Sequence, residues 1–212
     1  MKYLTLEEGA FLVKLARRAV KEYLDKGMII SPPDKISEKL KEKRGVFVTI
    51  EKIEVDEKGV WQRKLRGCIG FPEPVYPLVE ATIQAAVAAS EDPRFPPLTP
   101  SELNKVVFEV SVLSPLELIK VEKPLEYLKV IKIGRDGLLV EKGIFKGLLL
   151  PQVPVEYEWD VETFLNYACM KAGLPPDAWL DPDTKIYRFT AQIFYELEPE
   201  GRVIERQLEI SR

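Results

Sequence analysis

Two cysteines and no histidine bound the chemistry open to this chain of 212 residues. Without imidazole there is no Ser-His-Asp or Cys-His relay, and no metal site that depends on histidine. Thiol, carboxylate, ammonium, guanidinium, hydroxyl and phenol groups remain, or the chemistry of a bound group. Cys68 stands in the run Leu65-Arg66-Gly67-Cys68-Ile69-Gly70. As a strand, this run puts Arg66, Cys68 and Gly70 on one face and Leu65, Gly67 and Ile69 on the other. A guanidinium beside a thiol favours the thiolate or holds an anion. Glycine inside a strand costs stability, so Gly67 and Gly70 imply close approach by a ligand or another backbone. The plainer alternative makes Cys68 a small core residue that the glycines relieve of crowding. Cys169 lies on the stripe Phe164, Leu165, Ala168, Cys169 and Ala172. It reads as core.

Glu109 is the second catalytic candidate. In the strand predicted over 107–113 it shares a face with Val107, Ser111 and Leu113. It reads as a proton acceptor for Cys68, as an exposed edge position or as a member of a salt bridge. Arg94 sits in a loop stiffened by Pro93, Pro96 and Pro97. It anchors that loop or binds an anion. Ser111 and Gln152 complete the candidate ligand-contacting set with Arg66, Gly67 and Gly70. Gly134-Arg135-Asp136-Gly137 lacks the spacing of a dinucleotide site or phosphate loop and reads as a turn. Carboxylates are numerous, but none has a spacing that specifies a metal. No metal is expected and no cofactor is indicated.

The elements that must position these residues follow from periodicity. Thr5 and Glu8 form a capping box, an apolar stripe runs from Phe11 to Leu24, and Gly27 ends the helix. A short helix is expected around Ile36–Leu40. A hairpin follows, from Val46–Ile50 through a turn at Asp56–Gly59 and Trp61 into Leu65–Gly70. Further helices are expected over 77–90 and 161–172. Further strands are expected over 107–113, 130–133, 138–141 and 147–150. Alternation of Tyr187, Phe189, Ala191, Ile193, Tyr195 and Leu197 predicts one long final strand. Hairpin pairs without a β-α-β rhythm give an α+β fold, a mainly antiparallel sheet flanked by helices.

Apolar residues make up 46% of the chain, enough for a sizeable core. The apolar runs are short and interrupted by charges, so no membrane span is expected. The start of the chain lacks the pattern of a signal peptide, which gives a cytoplasmic expectation. Two cysteines a hundred positions apart make no disulfide framework. Scarce Asn, Met and Cys, 31% charged residues and seventeen prolines resemble thermophile composition. The net charge is −3, with bases prevailing up to Arg66 and acids thereafter. The basic part alternates in sign, so specific nucleic-acid binding is not expected. A small anionic ligand is the expected partner of the Cys68 region.

The run Leu65–Gly70 resembles the signature of the AMMECR family. Supporting matches are Gly45-Val46-Phe47-Val48-Thr49, Asp92-Pro93-Arg94-Phe95-Pro96-Pro97-Leu98 and Glu109-Val110-Ser111-Val112-Leu113-Ser114. Gly147-Leu148-Leu149-Leu150-Pro151-Gln152-Val153, Trp159-Asp160 and Cys169-Met170-Lys171-Ala172-Gly173-Leu174 continue the match in the same order. The resemblance implies one domain over residues 1–212, made of two interleaved subdomains, with a larger and a smaller lobe and a cleft near the signature. It implies either a stand-alone protein or association with dioxygenase-like and radical-SAM proteins, and brings no established reaction. Three functions stay open: Cys-dependent catalysis on an anionic or modified substrate, an accessory binding protein, and a nucleic-acid-associated protein.

Overall fold

The computed structural model describes residues 4–55, 57 and 59–207. Helix α1 (Leu6–Lys26) and the single turn α2 (Glu38–Lys41) lead into strands β1 (Val46–Val55) and β2 (Trp61–Phe71). Helix α3 (Leu78–Ser90), a 3-10 segment at Pro100–Lys105 and strand β3 (Val106–Leu113) follow. Next come β4 (Glu117–Leu118), α4 (Tyr127–Val130), β5 (Gly137–Lys142), β6 (Phe145–Leu149), α5 (Val153–Glu156) and α6 (Val161–Lys171). Strands β7 (Lys185–Phe189), β8 (Ala191–Glu196) and β9 (Val203–Glu205) complete the order. The chain divides into two compact units. The first runs to Leu113 and takes in Gln192–Arg206, and the second holds Ser114–Ala191. Among the described residues no helix is long and apolar enough to cross a membrane.

The first unit is built on a sheet in the order β2-β1-β3-β8-β9. Alternation along β1 sends Val46, Val48 and Ile50 to one face, where all three are fully buried. Antiparallel register sets them beside Phe71, Ile69 and Gly67 on β2, and beside Val112, Val110 and Phe108 on β3. Helices α1 and α3 supply the other half of this core, through Leu12, Ala16 and Val20 and through Leu78, Ile83 and Ala86. The capping box forms as expected: Glu8 N–H donates to Thr5 Oγ1 at 3.2 Å, and Thr5 N–H to Glu8 Oε2 at 2.8 Å. Gly27 ends α1 with φ 67. Within this core, Arg17 of α1 pairs with Glu196 of β8 and stacks over the Phe108 ring at 4.8 Å. Its remaining donors reach the carbonyls of Leu103 and Val106.

The second unit carries a sheet in the order β4-β7-β5-β6. Its core joins Leu138, Val140 and Ile186 of the sheet to Phe164, Leu165 and Ala168 of α6. Cys169 is fully buried there, in keeping with its place on the helix stripe.

The fold is α+β with antiparallel pairing, as the sequence predicts. Two expectations change in detail. The strand expected over 130–133 is absent. Tyr127–Val130 is helical, and Ile131 and Ile133 join the core from a turn. The Asp136 carboxylate holds that turn by accepting the Lys132 N–H at 2.9 Å and pairing with Arg135. The single strand expected over 187–197 breaks at Thr190, and its halves enter different sheets. The Thr190 backbone bonds Ser114 instead, its N–H donating to the Ser114 hydroxyl and its carbonyl accepting the Ser114 N–H. The expected inward set holds only in part: Phe189 and Ile193 are buried, but Ile186 and Phe194, outside that set, join the two cores, and Leu197 is exposed. Of the expected hairpin turn, Asp56 and Lys58 lie outside the described residues.

Candidate functional site

On the face of the first sheet away from α1 and α3, Cys68, Thr49 and Glu109 form one rung across β2, β1 and β3. Strand β2 lies at the edge of the sheet, and at Cys68 its outward backbone groups are occupied. The Cys68 N–H donates to Asp92 Oδ2 at 2.9 Å, and Arg94 Nη2 donates to the Cys68 carbonyl at 3.3 Å. With those groups turned outward, Cys68 and Thr49 form the non-hydrogen-bonded type of antiparallel pair, whose side chains lie closest. The Thr49 hydroxyl accordingly donates to Cys68 Sγ at 3.3 Å.

Asp92 organises the corner. Its Oδ1 accepts both the backbone N–H and Nε of Arg94 at 3.0 Å, and its Oδ2 accepts Nη2 at 2.6 Å. The carboxylate side chain is 1% exposed. Arg94 and the two backbone N–H groups hold its pKa well below the usual carboxylate range against the effect of burial. The Arg94 side chain is 49% exposed, and its Nη1 has no protein partner among the described residues. A fixed guanidinium thus keeps free donors in water beside a thiol.

The thiol is half-buried, and its pKa is raised. Burial is the main cause. The Thr49 hydrogen bond and the Arg94 charge oppose it, while Glu109 and Asp92 add to it. At neutral pH the sulfur is therefore a thiol rather than a thiolate.

Glu109 is 4% exposed and pairs with Arg206 at 2.7 Å. Arg206 and Arg63 each lie 4.9 Å from the Tyr195 ring centroid. Two strand spacings of about 4.8 Å separate β2 from β3, with Thr49 between them. That geometry gives no direct path for the Cys68 proton to Glu109.

Arg66 does not accompany Cys68. A β-bulge between Ile50 and Glu51 leaves Arg66 without an opposite residue and breaks the expected alternation. Its guanidinium bonds both Glu102 oxygens, at 2.9 and 3.2 Å, and the Pro97 carbonyl. The cation near the thiol is Arg94. Gly67 serves packing: a Cβ there would lie 2.1 Å from the Ala89 carbonyl of α3. Gly70 makes room for the Phe47 ring and the Val46 carbonyl. Ser111 is buried on β3, opposite Phe47. Gln152 belongs to the second unit, where its carbonyl accepts the Glu156 N–H of α5.

Thr49, Asp92 and Arg206 escaped the sequence reading. Thr49 is the one polar residue in Val46–Ile50, and Asp92 precedes Arg94 by two positions; both signals were present. Nothing local links Arg206 to Glu109. A groove of about 510 Å³ lies near the other end of the β1–β2 pair, lined by Ile53, Trp61, Arg63, Asn104, Lys105 and Leu197. It shares no residue with the Cys68 corner.

The AMMECR1 family model matches residues 13–194. The chain belongs to the AMMECR1 family. A protein of Thermofilum pendens is 59% identical over 212 residues, covering 99% of this chain and 100% of its own length. One from Thermococcus kodakarensis is 60% identical, over 95% of this chain and 97% of its own. The crystal structure of an uncharacterized protein from Pyrococcus horikoshii superposes with a TM-score of 0.89 at 57% identity, covering 95% of this chain and 98% of that one. Thr49, Cys68, Asp92, Arg94 and Glu109 all fall inside the matched AMMECR1 span. Arg206, the partner of Glu109, falls outside it.

Proposed function

We propose that the Cys68 corner binds a small anionic ligand, a carboxylate or a phosphate, with Arg94 as its anchor. The observation that carries this is the partition of the Arg94 donors. Nε and Nη2 are committed to Asp92, while Nη1 stays unpaired on a side chain half open to water. Such an arginine is oriented before the ligand arrives, so little rotamer freedom is lost on binding. The Cys68 thiol stands beside it as a neutral contact, its sulfur already accepting from Thr49. Its raised pKa favours ligand binding over attack by a resting thiolate.

The test is equilibrium dialysis of the protein against a pool of carboxylate and phosphate metabolites, read by mass spectrometry. The wild type should retain one or a few anions. Arg94→Ala should lose them, and Cys68→Ser should keep them within a few-fold. An anion retained equally by Arg94→Ala, or no anion on the wild type, would remove this reading.

A further inference from the structure

The second unit carries an aromatic stack at its surface. Trp159 stacks on Tyr157 with centroids 5.1 Å apart and planes at 22°, and on Tyr167 of α6 at 4.1 Å and 7°. Trp159 also packs against the core, but Tyr157 is 66% exposed and Tyr167 is 44% exposed. Met170, one turn after Tyr167, is 53% exposed. Core formation does not require Tyr157, whose ring remains largely in water.

The charges flanking Tyr157 and Trp159 along the chain are acidic, and Lys171 follows one turn after Tyr167 on α6. Glu156, Glu158 and Asp160 alternate with Tyr157 and Trp159, Glu162 follows on α6, and all four are exposed. No Lys or Arg occurs between Lys146 and Lys171. The backbone points the same way. Trp159 N–H donates to the Pro154 carbonyl and Glu158 N–H to that of Val155, the two bonds that close a helix through a left-handed residue. Glycine meets that demand without strain, yet the position holds Glu158 at φ 54. The chain accepts the strain and gains a carboxylate between Tyr157 and Trp159.

We propose that this surface is a docking site for an arginine-bearing peptide segment. A ring face attracts a cation through its quadrupole, and a planar guanidinium stacks on it while its edge donors reach carboxylates. Glu158 is the acceptor between the rings, and Asp160 offers its second carboxylate oxygen while the first caps α6 by accepting the Thr163 N–H at 2.8 Å. Rings of this kind also stack on nucleobases, but four carboxylates repel the phosphates that supply most nucleic-acid affinity. Charge complementarity therefore selects the peptide.

Fluorescence anisotropy tests this with dye-labelled hexa-arginine, hexa-lysine, hexa-glutamate and oligothymidylate at about 0.15 M salt, where surface charge alone is largely screened. Hexa-arginine should bind the wild type saturably and more tightly than hexa-lysine, with no binding of hexa-glutamate. Tyr157→Ala should weaken hexa-arginine by about 3–30-fold. Tyr157→Phe should stay within about twofold, since the ring is kept. Glu158→Lys reverses the charge between the rings and should also weaken binding, independently of the aromatic variants. Thermal melts of each variant confirm folding. No saturable binding of hexa-arginine overturns the proposal. So does equal affinity in wild type and Tyr157→Ala, lysine matching arginine, or tighter binding of oligothymidylate.

Discussion

The Thr49 hydroxyl donates to the Cys68 sulfur at 3.3 Å across a pair whose backbone groups face away from each other. This contact and the Arg94 charge are the two influences that favour the thiolate, and burial outweighs both. The corner therefore holds its thiol protonated while leaving a guanidinium open to water. That combination suits recognition of an anion better than attack on a substrate.

Alkylation by iodoacetamide as a function of pH reads this balance directly. Cys68 should react slowly at neutral pH, with a midpoint above the ordinary thiol value. Thr49→Val removes an influence that lowers the pKa and should move the midpoint further up; Arg94→Ala should do the same. Cys169, fully buried and with its pKa pushed up to about 11, should stay unmodified while the protein is folded. A Cys68 midpoint below that of a free thiol would contradict the account.

The Arg66–Glu102 pair makes a prediction about acid. Arg66, helped by the Thr99 N–H and hydroxyl, lowers the Glu102 pKa to about 2 from an ordinary value of 4.5, against the effect of burial. A depressed carboxylate stabilises the fold fully above its unfolded pKa, and that contribution is lost as pH falls through the folded value. Stability should therefore fall between about pH 4.5 and 2, with Glu102 contributing to the slope. Urea unfolding along this range should show a shallower slope for Glu102→Gln. An unchanged slope would assign the acid sensitivity elsewhere, Asp92 being the nearest alternative.

The Arg17–Glu196 pair lies in the core between α1 and β8, with side chains 9% and 2% exposed. Removing one member leaves a buried charge uncompensated, a loss of about 3–5 kcal/mol. Arg17→Met and Glu196→Gln should each show a loss of that order in chemical denaturation. The double variant should lose less than the sum, because neither charge is then stranded. It should not recover fully, because the carbonyls of Leu103 and Val106 lose the Arg17 donors. Strict additivity would refute the coupling.

Local pattern carried much of this fold. Alternation located β1, β2 and β3, and the helix stripes placed α1, α3, α6 and the buried Cys169. Pattern fails where one residue shifts the count. The bulge at Arg66 reverses the side on which that residue is needed, and no composition signal announces it. It fails again at Thr190, where alternation continues although the chain changes sheets. Long-range pairs were illegible for a different reason. Glu109 meets Arg206, and Arg17 meets Glu196, only because the sheet order sets distant segments side by side. Asp92 lay between these cases: the sequence marked its loop, but only the fold puts its carboxylate under the Cys68 N–H.

The glycine beside the thiol gives the last prediction, which separates architecture from recognition in the signature run. A Cβ at Gly67 would lie 2.1 Å from the Ala89 carbonyl and 3.1 Å from its carbon, both backbone atoms near the end of α3. Backbone cannot yield as a flexible side chain does, so Gly67→Ala must push α3 away from β2. Overpacking of this kind costs about 1–3 kcal/mol, set against a gain below about 1 kcal/mol from a stiffer unfolded chain. Gly143→Ala is the control. Its φ of 60 brings backbone strain, but nothing lies within 4 Å of its Cβ. Both variants should be destabilised, but only Gly67→Ala should shift its neighbours. Displacing α3 disturbs Asp92 just beyond its end, and with it the acceptor of the Cys68 N–H. Amide exchange at Cys68 should therefore accelerate in Gly67→Ala and stay unchanged in Gly143→Ala. Wild-type protection at Cys68 in Gly67→Ala would show that the helix and the thiol corner are independent.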